Sequence, residues 1–240
     1  PPAPELRPRP PPRPADGAPF ETDTRLRPDG ADGLLVNTLG AHADYYRRRA
    51  QLWEVQMLTR ARFIAGDAAT GAACAQLAAT LADFSRPPAA PACWTPEWPR
   101  EIARMRGRIE RERTPAGGAA LAFKTGAGGL LDAEFLAQAL ALRHGGHAAH
   151  TLLALEHAAA AGWLPAADAA RLLPGYRELR RLELILRRWS FAGEAALPAD
   201  APAQRRVAIR CGFRDGPELL AAVARWRTDV RAVYARHLPA

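Results

Sequence analysis

The chain has 240 residues, 48% of them apolar, and carries 33 Lys plus Arg against 25 Asp plus Glu for a net charge of +8. Such a length supports one large or two small cores, and the dominance of alanine and leucine over β-branched residues excludes a mainly β architecture. Cys74, Cys93 and Cys211 are odd in number, widely spaced and without a CxxC pair, so neither a disulfide framework nor a zinc site is indicated.

No apolar run is long enough to span a bilayer and no signal peptide is evident, so a cytoplasmic setting with no membrane partner is expected. The excess charge is almost all arginine, which suits phosphate-bearing partners. Arginine also replaces lysine wherever base composition drifts toward GC, so the excess does not by itself argue for nucleic acid.

Residues 1–19 contain nine prolines and almost nothing that builds a core; a disordered or polyproline-like tail is expected there. Phe20 to Leu26 alternates as a strand does, with Glu21, Asp23 and Arg25 on one face, and turns follow from Pro28 to Gly33. On this reading Asp23 is a solvated strand carboxylate paired with Arg25 or Arg27. After Asn37 or Thr38 as N-cap, Leu39, Ala43, Tyr46, Ala50, Trp53, Met57 and Ile64 recur at helical spacing, predicting one long helix that stops at Gly66. Its other face carries Arg47, Arg48, Arg49, Arg60 and Arg62.

A second helix is predicted over Ala69 to Phe84. A proline-broken connector follows, whose Trp94 and Trp98 plug onto the core. Arg100 to Arg113 reads as a highly charged surface helix with Ile102, Met105 and Ile109 as its apolar line, and its mixed signs make it a poor nucleic-acid stripe. Further helices are predicted at Thr151 to Ala161, Ala166 to Leu173, Tyr176 to Ser190, Gln204 to Cys211 and Pro217 to His237. His144, His147 and His150 lack a matching acid and the usual zinc spacing, so no metal is assigned to them. No internal repeat is present.

The stretch that organises the chain is FKTGAGGLLDAEFLAQALAL, Phe123 to Leu142. Phe123 and Lys124 are expected to end a short extended run. Gly126, Gly128 and Gly129 then permit a sharp turn and a close approach to a ligand or another backbone. Asp132 falls in the first turn of the next helix, at the positive end of its dipole. Phe135, Ala139 and Leu142 form a buried stripe, leaving Asp132, Glu134 and Gln138 on other parts of the surface. The turn is either a phosphate cradle without the GKS or GKT ending of a P-loop or a capped helix after a tight turn.

Taken together, these segments resemble the glutamine synthetase adenylyltransferase family. Its last nucleotidyltransferase strand and exit loop resemble FETDTRLRPDGADGLLV at Phe20 to Val36. The long helix after that loop resembles HADYYRRRAQLWEVQMLTRARFIAGD at His42 to Asp67. The K-x-G-x-GG-x-x-D/E-x-EF signature resembles KTGAGGLLDAEFLAQ at Lys124 to Gln138, and LRRLELILRRW with the following LP, Leu179 to Pro198, also fits. Leu131 and Asp132, where the adenylyl-removing half of the family usually has Arg-Glu, make the chain look like the adding half.

The resemblance implies a mainly α fold: a remnant of the nucleotidyltransferase core at 20–36, holding its last strand, followed by a helical domain at 37–240. It also implies transfer of AMP from ATP to a tyrosine of glutamine synthetase, with Mg²⁺ bridging the phosphate oxygens and PII signalling protein as a further partner. Asp23 matches the third metal-site carboxylate and so takes the catalytic and metal position. Arg25 and Arg27 are placed to address phosphates or brace the strand. Lys124, Gly126, Gly128, Gly129, Asp132 and Glu134 are implied as the helical wall of the ATP cleft. The GSxxDxD element that supplies the first two metal carboxylates is absent from these residues. The chain by itself is therefore expected to bind neither Mg²⁺ nor ATP and to be inactive. The alternative is a non-catalytic helical module that binds glutamine synthetase or PII.

Overall fold

The computed structural model describes residues 24, 26–87, 90–190 and 194–238. These form two units, residues 1–37 and 38–240. The described residues are mainly α, with nine α-helices and no strand. Most of the strand expected at Phe20 to Leu26, including Asp23 and Arg25, lies outside the described residues.

In the first unit, a short 3-10 helix spans Gly30–Asp32. Arg27 closes the turn around it, donating to the carbonyls of Ala31 and Gly33 at 3.3 Å and to that of Thr24.

The second unit begins where Thr38 caps α1 (Leu39–Arg48), its hydroxyl accepting the Ala41 amide at 3.1 Å. The single long helix expected from Thr38 to Gly66 is two helices. α1 stops at Arg48, and α2 (Leu52–Leu58) starts afresh because Glu54 turns back to accept the Gln51 amide at 2.7 Å. Tyr45 donates to the same carboxylate at 2.8 Å, fixing the bend between the two. Beyond Leu58 the chain leaves helical geometry, and Ile64, expected on the buried stripe, is 81% exposed.

α3 (Ala68–Leu81) and α4 (Trp98–Arg113) follow. Trp98 is buried edge-on against Phe84, their ring centroids 5.4 Å apart, so the connector is plugged onto the core as its aromatic content suggests. α4 departs from expectation. It is not only a surface helix, since Arg106 in its middle is completely buried.

α5 (Leu130–His144) is the centre of the domain. Eleven of its residues are buried, and it packs against α2, α4, α6, α7 and α9. A helix surrounded on most sides loses its polar face, which is why Asp132 and Gln138, expected at the surface, are both buried. α6 (Thr151–Ala160) leads into α7 (Ala166–Ser190), where two shorter helices were expected. Pro174 sits inside α7 without ending it. Leu172, Tyr176 and Leu179 on either side of the proline are all buried, and α7 and α9 form the most extensive helix pair of the domain. Burial of that shared face offsets the missing amide. α8 (Ala201–Cys211) and α9 (Gly216–His237) complete the bundle, capped by Asp200 and Asp215. The stripe read from α9 is buried at Leu219, Val223, Val230 and Val233.

The two long helices are clasped where α9 ends. Asp168, in the first turn of α7, accepts from Arg236 and lies 2.7 Å from His237 Nε2. Burial alone would raise the Asp168 carboxyl; the hydrogen bonds from Arg236 and His237 outweigh it and hold it below the usual range. A lowered folded-state value adds stability above the ordinary carboxylate range, and that stability is lost as pH falls through the folded value. Asp168→Asn is expected to cost about 1–2 kcal/mol in denaturant melts at neutral pH. The variant and parent curves should converge as pH falls below about 4. A gap that persists in acid would assign the loss to shape rather than charge.

Candidate functional site

The elbow between α4 and α5 is built from turns, not from an extended run ending at Lys124. Phe123 is fully buried and anchors it, its carbonyl accepting the Leu130 amide at 3.0 Å. Gly128 has φ +71°, and a Cβ there would lie 1.9 Å from the Arg227 carbonyl oxygen of α9. A Cβ at Gly126 or Gly129 would come within 2.6 Å of the Ala122 or Phe123 carbonyl oxygen respectively. All three glycines are thus filled in by protein: the close approach they allow is to other backbone. Arg227 completes the fit, donating to the carbonyls of Ala127 at 3.0 Å and Ala120 at 2.7 Å.

Behind the turn lies a four-charge knot. Asp132 accepts the Gly128 amide at 2.7 Å, and its carboxylate meets Arg106 at 2.6 Å and Arg231 at 3.0 Å. Both guanidiniums also face Glu110, at 3.4 and 3.3 Å, and Arg106 donates to the Gly126 carbonyl at 3.0 Å. Asp132 and Arg106 are fully buried, and the two positive and two negative charges compensate one another. Burial, reinforced by the Asp132 charge, pushes the neighbouring Tyr234 hydroxyl up to about 12. Asp132 therefore faces the interior and is engaged on both oxygens.

The open side of the elbow is different. Lys124 Nζ pairs with Glu183 of α7 at 2.9 Å, and Arg180 pairs with the other oxygen of the same carboxylate. Glu134, two residues past Asp132, turns to this side and lies 3.7 Å from Arg60, just beyond the end of α2. Burial pushes the Glu134 carboxyl up against the pull of Arg60 and Arg180, with Glu183 adding to the rise and Lys124 opposing it. Burial also raises the adjacent Tyr176 hydroxyl, against a hydrogen bond from Thr151. Beneath the cluster, one turn further into both helices, Gln56 donates to Gln138 at 2.6 Å, a fully buried amide pair.

The result is a group of three cations, Arg60, Lys124 and Arg180, around two carboxylates, Glu134 and Glu183. The cations are each about 40% exposed and the acids are nearly covered. Such an arrangement holds its cationic ends toward solvent while the acids orient them, a geometry suited to an anionic ligand. Of the residues singled out in the sequence, Lys124 and Glu134 meet here, Asp132 and the glycines support them from behind, and Arg27 belongs to the other unit. Arg60 was visible only as one of several arginines on a helix face. Arg180 and Glu183 lay in a segment noted for its pattern without roles, and Arg106 and Arg231 carried no local signal at all.

The second unit is thus a helical bundle whose elbow presents an ordered ion cluster, assembled from segments far apart in sequence. Comparison with known proteins gives it a lineage. The family model described as GlnD PII-uridylyltransferase matches residues 99–238, and that described as Glutamate-ammonia ligase adenylyltransferase matches residues 12–77. The chain belongs to this adenylyltransferase and uridylyltransferase family. It is similar to the bifunctional glutamine synthetase adenylyltransferase/adenylyl-removing enzymes of Mycobacterium leprae, at 37% identity over 92% of this chain and 23% of that protein, and Streptomyces coelicolor, at 35% over 92% and 22%. The corresponding protein of Mycolicibacterium smegmatis is 39% identical over 75% of this chain and 18% of its own length. The chain thus spans less than a quarter of the length of these curated relatives. Arg60 falls in one matched region, and Lys124, Glu134, Arg180 and Glu183 fall in the other.

Two substitutions test the elbow as a scaffold. Asp132→Asn leaves Arg106 buried without its full countercharge and is expected to cost about 3–5 kcal/mol; an unchanged denaturation midpoint would show that the knot contributes nothing. Gly128→Ala drives a methyl into the Arg227 carbonyl at positive φ, and a loss of about 2–4 kcal/mol is expected from strain and overpacking together. Thermal melts within error of the parent would mean that α9 simply moves aside.

Proposed function

We propose that this chain is the helical part of an adenylyltransferase that modifies glutamine synthetase, with residues 20–36 belonging to a nucleotidyltransferase core and residues 37–240 forming the wall against which ATP is held. The observation that carries the proposal is the convergence of Arg60, Lys124, Glu134, Arg180 and Glu183 in one cluster, each supplied by a segment that resembles the family. In the reaction, a tyrosine oxygen of glutamine synthetase bonds to the α-phosphorus of ATP, the bond to the bridging oxygen breaks, and pyrophosphate leaves with the electron pair.

In this chain, Lys124, Arg60 and Arg180 would meet phosphate oxygens, because each is partly exposed and together they outnumber the carboxylates that orient them. Glu183 fixes Lys124 and Arg180 relative to each other, and Glu134 does the same for Arg60. Asp132 and the glycines hold the elbow that carries Lys124, and so act through position.

The described residues do not fit a metal. No group of three or more His, Cys, Asp and Glu stands together among them, and Glu134 and Glu183 already face cations. The proposed metal ligand, Asp23, lies outside the described residues, as does Arg25. The 240 residues also lack a GSxxDxD element, so the chain alone is proposed to have no transferase activity.

The test joins this chain to a family nucleotidyltransferase core and follows transfer of label from α-labelled ATP to purified glutamine synthetase. The joined protein should label glutamine synthetase and the isolated chain should not. Lys124→Ala or Glu183→Gln in the joined protein should lower turnover by at least about tenfold at a temperature where both variants remain folded. Equal turnover in both variants would remove the elbow from the site. Capture of glutamine synthetase or PII without any labelling would favour the binding-module reading instead.

A further inference from the structure

α4 looks unpromising as a binding element in sequence because its charges alternate in sign, but the fold separates those charges. Arg106 and Glu110 turn inward to the knot behind the elbow. Glu97 pairs with Arg100, and Glu101 accepts from the Thr95 hydroxyl at 3.3 Å. Of the charges that remain, Glu112 and Arg113 close the helix, and Arg104, Arg108 and Arg111 stand at spacings of four and three that place them on one exposed face. Arg104 and Arg111 have no hydrogen bond or ion pair with any described residue, and Arg108 stands 4.0 Å from Glu112.

These arginines border a groove of about 560 Å³ between α4 and the start of α2. Buried Leu52 and Ala103 contribute to its lining, and Trp53 stands over it 45% exposed. Tryptophan and arginine are each enriched among the residues that dominate protein interfaces, and here an exposed tryptophan and exposed guanidiniums line one groove.

We propose that this groove docks a short acidic polypeptide segment of a partner protein. The three guanidiniums fork onto carboxylates bidentately, while Trp53 covers the apolar part of the bound chain. Length selects the partner class. Arg104 to Arg111 spans about 10 Å along the helix, the reach of about three residues of extended chain. Glu101 lines the groove at one end of this span and Glu112 follows Arg111 at the other. A short acidic run fits between them, whereas a phosphodiester strand, charged at every step, would carry its phosphates onto both carboxylates. No residue of the elbow lines the groove, so the proposal stands apart from the nucleotidyl-transfer reading.

The experiment is fluorescence anisotropy of the 240-residue chain with a fluorescein-labelled octapeptide whose central Glu-Asp-Glu run is flanked by glycine and serine, and separately with a labelled twelve-nucleotide single strand. Saturable peptide binding is expected, weakening as salt is raised and weakened at least about tenfold by R104E/R111E. The control R206E/R210E, which alters exposed arginines on α8, should stay within about twofold. W53A should weaken binding without changing its salt dependence. Both Arg104 and Arg111 are exposed, so melting temperatures should match the parent. Absence of saturable binding, equal weakening by the control pair, or tighter binding of the single strand that R104E/R111E abolishes would each overturn the proposal.

Discussion

One buried carboxylate fixes the arrangement of this domain. Asp132 holds a guanidinium from α4, another from α9 and a backbone amide from the turn before α5. Apolar packing is non-directional, and three helices packed by leucine and valine alone would tolerate sliding and rotation against one another. An ion buried at their junction does not, because a small shift leaves a charge without its partner at a cost of several kcal/mol. The second carboxylate, Glu110, is what makes the knot tolerable, since it balances two guanidiniums that one aspartate would leave in excess. Register among α4, α5 and α9 is therefore set electrostatically, and the hydrophobic core fills in around it.

The elbow consequently has two sides with different physics. On the inner side, glycines and Asp132 meet backbone and buried guanidiniums, and nothing there is open to a ligand. On the outer side, Lys124, Arg60 and Arg180 are partly solvated and are oriented by acids that are nearly covered. The alternation along Lys124 to Glu134 thus has a simple origin. Asp132 and Glu134 are two positions apart on a helix, so they point to different sides, and the fold uses one for cohesion and leaves the other beside the cations.

Much of this was legible in the sequence, and the exceptions have identifiable causes. Helical content, the caps at Thr38 and the stripe of α9 follow from local chemistry that tertiary context did not overrule. Lys124, the glycines and Asp132 were recognisable as one motif, and their spacing with the other segments pointed to the family. The burial of Asp132 was not legible, because its partners Arg106 and Arg231 lie 26 residues before it and 99 residues after it. A buried arginine looks like any other until its counterion is known. The break between α1 and α2 was missed because the apolar period continues through it, while the signal that starts α2 afresh is one glutamate side chain returning to Gln51. The joining of two predicted helices into α7 was missed for the opposite reason. Pro174 is a local stop signal that packing along α9 overrules.

The contact between Gly128 and Arg227 links the best-defined motif of the chain to a residue 99 positions later. The motif is continuous in sequence, yet its shape is completed by the last helix. During synthesis the turn emerges long before the surface that moulds it. Its close fit exists only with α9 in place. The motif's turn is therefore a shape that its own residues permit and a distant helix imposes.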